Sequence, residues 1–528
     1  MPLMRPWRVA ALLIVTLCGA SLLAFRPVAP APAPTLVLVV VVDQMRGDYL
    51  QRWDGQWRGG FTRLMRGGAV FPHGLQPHAI TVTAPGHSTI LSGRVPARTG
   101  IYDNQNGVAD STAPLIGGST GTGASPRRFR GTTLIDWMRQ KDSSLQVLSI
   151  AGKDRSAILP VGTSRGAVFW ANRGHLTSST YYADSLPTWV ARWNARLGAE
   201  RLAGHDWVLL RPDSSYPELD DAEGEHRAGE RVFPHRLPDD PEQAARGVSD
   251  TPWADSLLLD AALEGTQAMR LGRRASPDVL ILGLSATDEV GHRFGPDSRE
   301  LHDQMLRLDH WLGWFLDSLS TMVPAGRTVI ALSADHGVTR IPEVARARGE
   351  AGGRVTLEPL VSEINRRIGG SEEDSTILLV RGGLVTGNPA RLRAIGVSPE
   401  SLATALLGRV WRVPGIADAW TPATLAGAVP TNRFAARWAR SIPRGLFWFV
   451  AASPDPGWVW GGKPGGAEHG ASTDDDASVP IAFFGPGVRA GIFPDTVLTV
   501  DIAPTLARLL GVPAPDRLDG RRIREVMP

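Results

Sequence analysis

The chain has 528 residues, long enough for a large buried core and for about three domains on length alone, although α/β enzymes of this size often form one core with insertions. Charged residues make up 21% and apolar residues 43%, an ordinary globular balance that excludes a disordered chain. A formal net charge of +3, with no block of like charge, gives no reason to expect nucleic acid as a partner.

The N-terminus reads as an export segment. Arg5 and Arg8 precede an apolar run over 9–25, and a Pro/Ala stretch follows to Pro34. The run is at the short edge for a membrane span. A cleaved signal peptide is therefore the first expectation for residues 1–34, with its linker, and a retained anchor the second. The single cysteine, Cys18, lies inside this run, behind a Leu17 that does not suit a lipoprotein cleavage site. The mature chain then has neither disulfides nor a cysteine nucleophile, which agrees with export to an oxidising periplasm or cell envelope.

Aliphatic runs over 36–42, 145–150, 279–284, 328–332 and 479–484 each end in a polar cluster. Such unbroken runs predict strands buried on both faces. Helical patterns lie between them, over 60–66, 133–140, 254–270, 298–319 and 501–510. The alternation predicts an α/β fold over 35–528: a doubly wound, mostly parallel sheet flanked by helices. Two stretches break the rhythm, 157–250 and 340–460, and are expected to be insertions that cap the core.

Ligands of open parallel sheets bind beyond the carboxyl ends of the strands. Three of the runs end there in carboxylates and imidazoles: Asp43, then Asp288 with His292 four residues on, then Asp335 next to His336. His469 precedes the last run. Oxygen and imidazole donors together suit borderline divalent cations such as Zn²⁺. One aspartate after a strand is more often a cap or a turn residue; four sites, each at a strand end or just before a strand, are much harder to explain that way.

In ITVTAPGHSTILSG, Thr83 stands two residues before a proline that is pre-organised for a helix start. Thr83 would sit at a helix N-terminus, where free N–H groups favour an anionic phosphate. A simple N-cap is the plainer reading, and the two are compatible. Thr81 and Ser88 rank below it, and His87 reads as a structural histidine. The other histidines outside the motifs, His226 among them, read as surface or structural. In SIAGKDRSAILP, Lys153 and Arg155 alternate beyond a strand run and could face one way as a phosphate clamp. Only three of the 56 basic residues are lysines, so one in this position is informative.

In this order, VVVDQMRGDYL (Val40–Leu50), TAPGHSTILSG (Thr83–Gly93), GIYDN (Gly100–Asn104), GKDRSAILP (Gly152–Pro160), TSSTYY (Thr177–Tyr182), TPWADSLLLD (Thr251–Asp260), LSATDEVGHRFGPDS (Leu284–Ser298) and SADHG (Ser333–Gly337) resemble the alkaline phosphatase superfamily. The resemblance is to its type I phosphodiesterase and nucleotide pyrophosphatase group, and within it to bacterial alkaline phosphatases with a threonine nucleophile and a Lys-x-Arg clamp. It implies hydrolysis of phosphate monoesters through a phospho-threonine at Thr83, with two divalent ions, Zn²⁺ foremost. One ion would be held by Asp288, His292 and His469, and the other by Asp43, Asp335 and His336 beside the Thr83 oxygen. Asn104, Lys153 and Arg155 would contact phosphoryl oxygens. The partner implied is a small-molecule phosphate ester, with a membrane met only through a retained anchor, and a monomer or simple homo-oligomer. Two rivals remain: a phosphodiesterase or nucleotide pyrophosphatase on the same scaffold, and an envelope phospho-group transferase. The sequence departs from the pattern at Thr163, where a histidine would be expected, and in the glycine-rich loop before His469.

Overall fold

The computed structural model describes residues 32–528 except 226–230, 325 and 369–376. Most of the expected export segment, residues 1–31, and His226 fall outside them. Strand β1 (Leu36–Val42) has all seven side chains buried. Its residues divide between two cores: Leu36, Leu38, Val40 and Val42 face one, and Val37, Val39 and Val41 the other. Period-two alternation splits the side chains, and helices on both faces explain why the run is apolar throughout. Each such side chain contributes roughly 1.5–3 kcal/mol by full burial, so a charge at Val39 or Val40 would break the centre of the molecule.

The chain continues through β2 (Ala69–Leu75), helix α1 (Thr83–Ile90), β3 (Val147–Ala151), the short α2 (Asp154–Ile158), β4 (Ala167–Asn172) and β5 (His175–Thr177). Then come α3 (Trp253–Met269), β6 (Asp278–Leu284), α4 (Ala286–Phe294), the long α5 (Arg299–Met322) and β7 (Thr328–Ser333). After a second lobe the chain returns as β8 (Ser478–Phe484), β9 (Gly491–Ile492) and β10 (Val497–Leu498). Among the described residues these strands form one sheet in the order β9-β2-β8-β7-β1-β6-β3-β4-β5, with β10 also on β2. The centre is parallel: Leu36 of β1 lies opposite both Asp278 of β6 and Thr328 of β7. β8 runs antiparallel to β7 and to β2. The result is the α/β, mostly parallel, helix-flanked sheet expected, with an antiparallel flank that apolar runs alone do not distinguish.

Within 157–250, β4 and β5 do not stand apart from the core; they extend its sheet past β3. Between 340 and 460 a separate antiparallel sheet forms from Leu378–Arg381, Leu384–Gly387, Trp448–Pro454 and Ile416–Trp420, over its own apolar cluster. Leu384, Trp420 and Trp438 of this lobe pack against Ala79 and Ile80, and Ser441 Oγ accepts from the Ala79 N–H. The lobe thus fixes the segment that leads into Thr83. On α5, Glu300, Asp303 and Asp309 are buried. Asp309 accepts from the main-chain N–H groups of Arg58, Gly59 and Phe61, holding the start of the helix at Gly60–Gly67. No helix among the described residues is long and apolar enough to cross a membrane.

Candidate two-metal centre

Three neighbouring strands, β7, β1 and β6, end at one place. Asp43 follows β1, Asp335 and His336 follow β7, and Asp288 and His292 lie one turn apart on α4, which follows β6. His469 arrives from the loop before β8. Two donor sets result, Asp288/His292/His469 and Asp43/Asp335/His336, and within each the ligand atoms lie within 4.8 Å of one another. In the first set the Asp288 Oδ1 is 3.4 Å from His292 Nε2 and 3.6 Å from His469 Nε2. In the second, His336 Nε2 is 3.3 Å from Asp43 Oδ1 and 3.6 Å from Asp335 Oδ2.

Each imidazole is oriented by a backbone carbonyl. His292 Nδ1–H donates to Ala467 O at 2.8 Å, His469 Nδ1–H to Thr81 O at 2.8 Å, and His336 Nδ1–H to Gly337 O at 2.9 Å. A carbonyl only accepts, so in each neutral imidazole Nε2 is a lone pair turned inward, the arrangement of metal-ligating histidines. His292 Nε2 and His469 Nε2 face each other at 3.1 Å, which suits a cation between them. Asp43 Oδ1, Asp335 Oδ2 and His336 Nε2 are buried with no hydrogen-bond partner among the described residues. Buried polar atoms are rarely left so, and three of them in one cluster point to a cation. The donor chemistry therefore fits divalent ions at both sets. The sets also touch: the His336 and His469 rings stack with centroids 3.7 Å apart.

Charge tells the same story. Asp43, Asp288 and Asp335 are all buried, and one ammonium serves two of them: Lys153 Nζ is 2.8 Å from Asp43 Oδ2 and also pairs with Asp288 Oδ2. Burial alone would raise the Asp43 carboxyl, but Lys153 and His336 outweigh it and hold it well below the usual carboxylate range. Asp335, farther from the ammonium, is pushed well above that range by burial and by the charge of Asp43. His336 would be lowered by burial, yet Asp335 and Asp43 raise it to about 9. His469 is driven well below its ordinary value by burial and by the two neighbouring imidazoles, and stays a neutral donor. Three buried carboxylates around one lysine make a site with a strong demand for further positive charge.

Thr83 opens α1 behind an extended Val82, as its motif predicts. Its neighbours touch both donor sets: Thr81 O holds His469, and His87 Nε2 lies 3.5 Å from Asp335 Oδ2. A Cβ on Gly86 would come within 2.1 Å of the Asp335 carbonyl, so only glycine lets α1 approach this closely. Asn104 Oδ1 accepts from the Ala84 N–H at 2.8 Å, which commits the oxygen to the helix and leaves the amide NH₂ as a donor beside Thr83. Lys153 and Arg155 do not alternate along a strand. β3 stops at Ala151, Lys153 is the extended residue capping α2, and Arg155 lies in the first turn of that helix. Among the described residues Arg155 Nε is buried without a hydrogen-bond partner, and the guanidinium pairs with Asp154 alone, at 3.6 Å. Thr163 is exposed, and its carbonyl accepts from the Tyr181 hydroxyl, so its side chain takes no part in the site.

Three residues around the site, Asp255, Asp476 and Gln44, are not singled out by their sequence, and His87 reads there as structural. His87 lies against Asp335, with both ring nitrogens buried and without hydrogen-bond partners among the described residues. Asp255, in the quoted TPWADSLLLD, reaches from α3 to accept from the Ala286 N–H at the start of α4. Asp476 accepts from Thr339 Oγ1 and from the Ala471 N–H, clamping the loops that carry His336 and His469. Gln44 follows Asp43 directly and is fully buried between the two sets. The one hint in the sequence is its position beside a strand-end aspartate; its partners lie more than 240 residues away.

The chain belongs to the family described as type I phosphodiesterase / nucleotide pyrophosphatase, whose profile matches residues 37–350. Among its relatives, alkaline phosphatase PhoV of Synechococcus elongatus is 30% identical over 514 residues, covering 94% of this chain and 93% of that protein. Alkaline phosphatase PafA of Elizabethkingia meningoseptica is 28% identical, covering 99% of both chains. The crystal structure of wild-type PafA superimposes with a TM-score of 0.87 at 27% identity, covering 94% of this chain and 99% of that one. A second PafA structure, with a TM-score of 0.88 at 26% identity, carries substitutions at one threonine, one asparagine, one lysine and one arginine.

Proposed function

We propose that this chain is an alkaline phosphatase, a hydrolase of phosphate monoesters that passes the phosphoryl group through Thr83. Two divalent ions, one at each donor set and Zn²⁺ foremost, supply when bound the Lewis-acid charge that polarises the phosphoryl and leaving oxygens. Thr83 Oγ forms the bond to phosphorus as the alcohol departs. Water then takes the phosphoryl group from Thr83 and restores its hydroxyl. Lys153, Arg155 and the Asn104 NH₂ hold the equatorial oxygens, over which charge is spread in the transition state. The four residue types substituted in the PafA variant are the same four.

The observation that carries the monoester reading is the pair Lys153 and Arg155 beside the two sets. An ammonium bonded to Asp43 and Asp288 and a guanidinium whose Nε has no hydrogen-bond partner among the described residues together match the two negative charges of a monoester. A diester presents one charge and an ester group there instead. Turnover of p-nitrophenyl phosphate and of bis(p-nitrophenyl) phosphate, with and without Zn²⁺, tests this. The paired substitution Lys153→Ala and Arg155→Ala should lower monoester kcat/KM by about 10²-fold or more and leave diester cleavage nearly unchanged. Equal losses on both would assign the chain to the diesterase branch instead. The export segment and a mature chain free of cysteine support a place in the periplasm or cell envelope, acting on small phosphate esters there.

A further inference from the structure

Besides Lys153, which pairs with Asp43 and Asp288, one uncharged residue bonds to both donor sets. Gln44 Nε2 donates to Asp288 Oδ1 at 2.6 Å, and the Gln44 main-chain N–H donates to Asp335 Oδ1 at 3.2 Å. One carboxylate belongs to each set. The residue that makes both bonds has φ of 66°, the left-handed region that a side chain rarely adopts, and it is fully buried. Strain of this kind persists only where the surroundings over-determine it, and it clusters at functional sites. A second, independent feature is built around it. Gly291 lies on α4 between Asp288 and His292, and a Cβ there would come within 2.0 Å of Gln44 Oε1. The helix has given up a side chain where the Gln44 carboxamide lies.

We propose that Gln44 is a positioning residue that couples the two cation sites: its carboxamide fixes Asp288 from one side while its main-chain N–H fixes Asp335 from the other. The inference rests on the two-metal reading and adds to it an asymmetry. The hold on Asp288 is made by a side chain and can be removed. The hold on Asp335 is made by a main-chain N–H that any residue but proline retains. Loss of the carboxamide therefore releases Asp288, which a lysine then pulls from its other oxygen, and leaves the Asp43/Asp335/His336 set as it was. Partners that orient metal ligands are typically worth 10–100-fold in metal affinity.

Gln44→Gly is the informative variant, because glycine adopts φ of 66° freely and keeps the N–H. Zn²⁺ content and competition with a chromophoric chelator, read on the full chain, should show two tight sites in the wild type. In Gln44→Gly one should weaken by at least about tenfold and the other change less than about twofold. Gly291→Ala should weaken the same site, although alanine in an open helix is otherwise favoured over glycine. The double variant should match Gln44→Gly alone, since the carboxamide that the new methyl would strike is gone. Two unchanged sites in Gln44→Gly, equal losses at both, or additive losses in the double variant would overturn the inference. A wild-type chain that binds no pair of Zn²⁺ would overturn the two-metal reading and this inference with it.

Discussion

Three hydroxyls lie within a few residues of one another before and along α1, and their surroundings differ. Thr81 Oγ1 donates to Ala471 O, and Ser88 Oγ donates to Pro85 O, so both are engaged in holding the local chain. Thr83 opens the helix between two residues that touch opposite donor sets. Thr83→Ala should lower turnover of p-nitrophenyl phosphate by about 10³-fold or more, with the folded state intact by circular dichroism. Thr83→Ser keeps an oxygen at that place and should retain a measurable fraction. Thr81→Val, by contrast, removes a bond to the loop that bears His469, and should reduce stability more than it reduces kcat. Equal effects of the Thr81 and Thr83 substitutions on kcat would remove Thr83 from its role.

At the scale of elements, helix α4 carries two of the six candidate ligands, and its N-terminus is held from outside. Ser285, at its N-cap, makes no side-chain cap; Asp255 on α3 takes that part, and Gln304 on α5 donates to Asp255 and to Thr287 Oγ1. Burial pushes the Asp255 carboxyl up to about 7, against an ordinary 3.8. The native chain thus binds this proton more tightly than the unfolded chain does. Its stabilising share is complete below about pH 3.8 and is lost as pH rises through 7. Asp255→Asn keeps an acceptor for the Ala286 N–H and has no charge to bury. Relative to the parent it should gain a few kcal/mol on going from pH 4.5 to pH 8, read from urea midpoints with chelator present. A constant difference between the two proteins across that range would sink the assignment. The contrast also explains what could be read from the sequence. Asp43, Asp288, Asp335 and their histidines stand at the ends of apolar runs, so a local pattern exposes them. Asp255, Gln44 and Asp476 act across 31, 244 and 137 residues, and no periodicity reports such contacts. β4 and β5 were hidden for a different reason: they lie in a Trp- and Tyr-rich stretch without a long aliphatic run, and pairing with β3 makes the outer strand.

For the whole molecule, both donor sets draw on the ends of β1, β6 and β7, the centre of the sheet, so cations bound there would tie these strand ends together as well as serve the proposed chemistry. Ligands that bind only the native state stabilise by about 2.7 kcal/mol at a hundredfold excess over Kd. Saturating Zn²⁺ should therefore raise Tm by several degrees over protein in chelator, and calorimetry with no such shift would argue against resident cations. Lys153 sets the scale of that difference. Its ammonium already answers two buried carboxylates, so removing the metals does not leave those charges alone with each other. Lys153→Ala should accordingly lose more stability in chelator than in Zn²⁺, the reverse of what a purely catalytic lysine would give. Small zinc modules unfold when stripped because they have no internal substitute for the ion. A built-in countercharge lessens that dependence here: with Lys153 already set against two of the buried carboxylates, the empty site is less self-repelling than a bare cluster of acids.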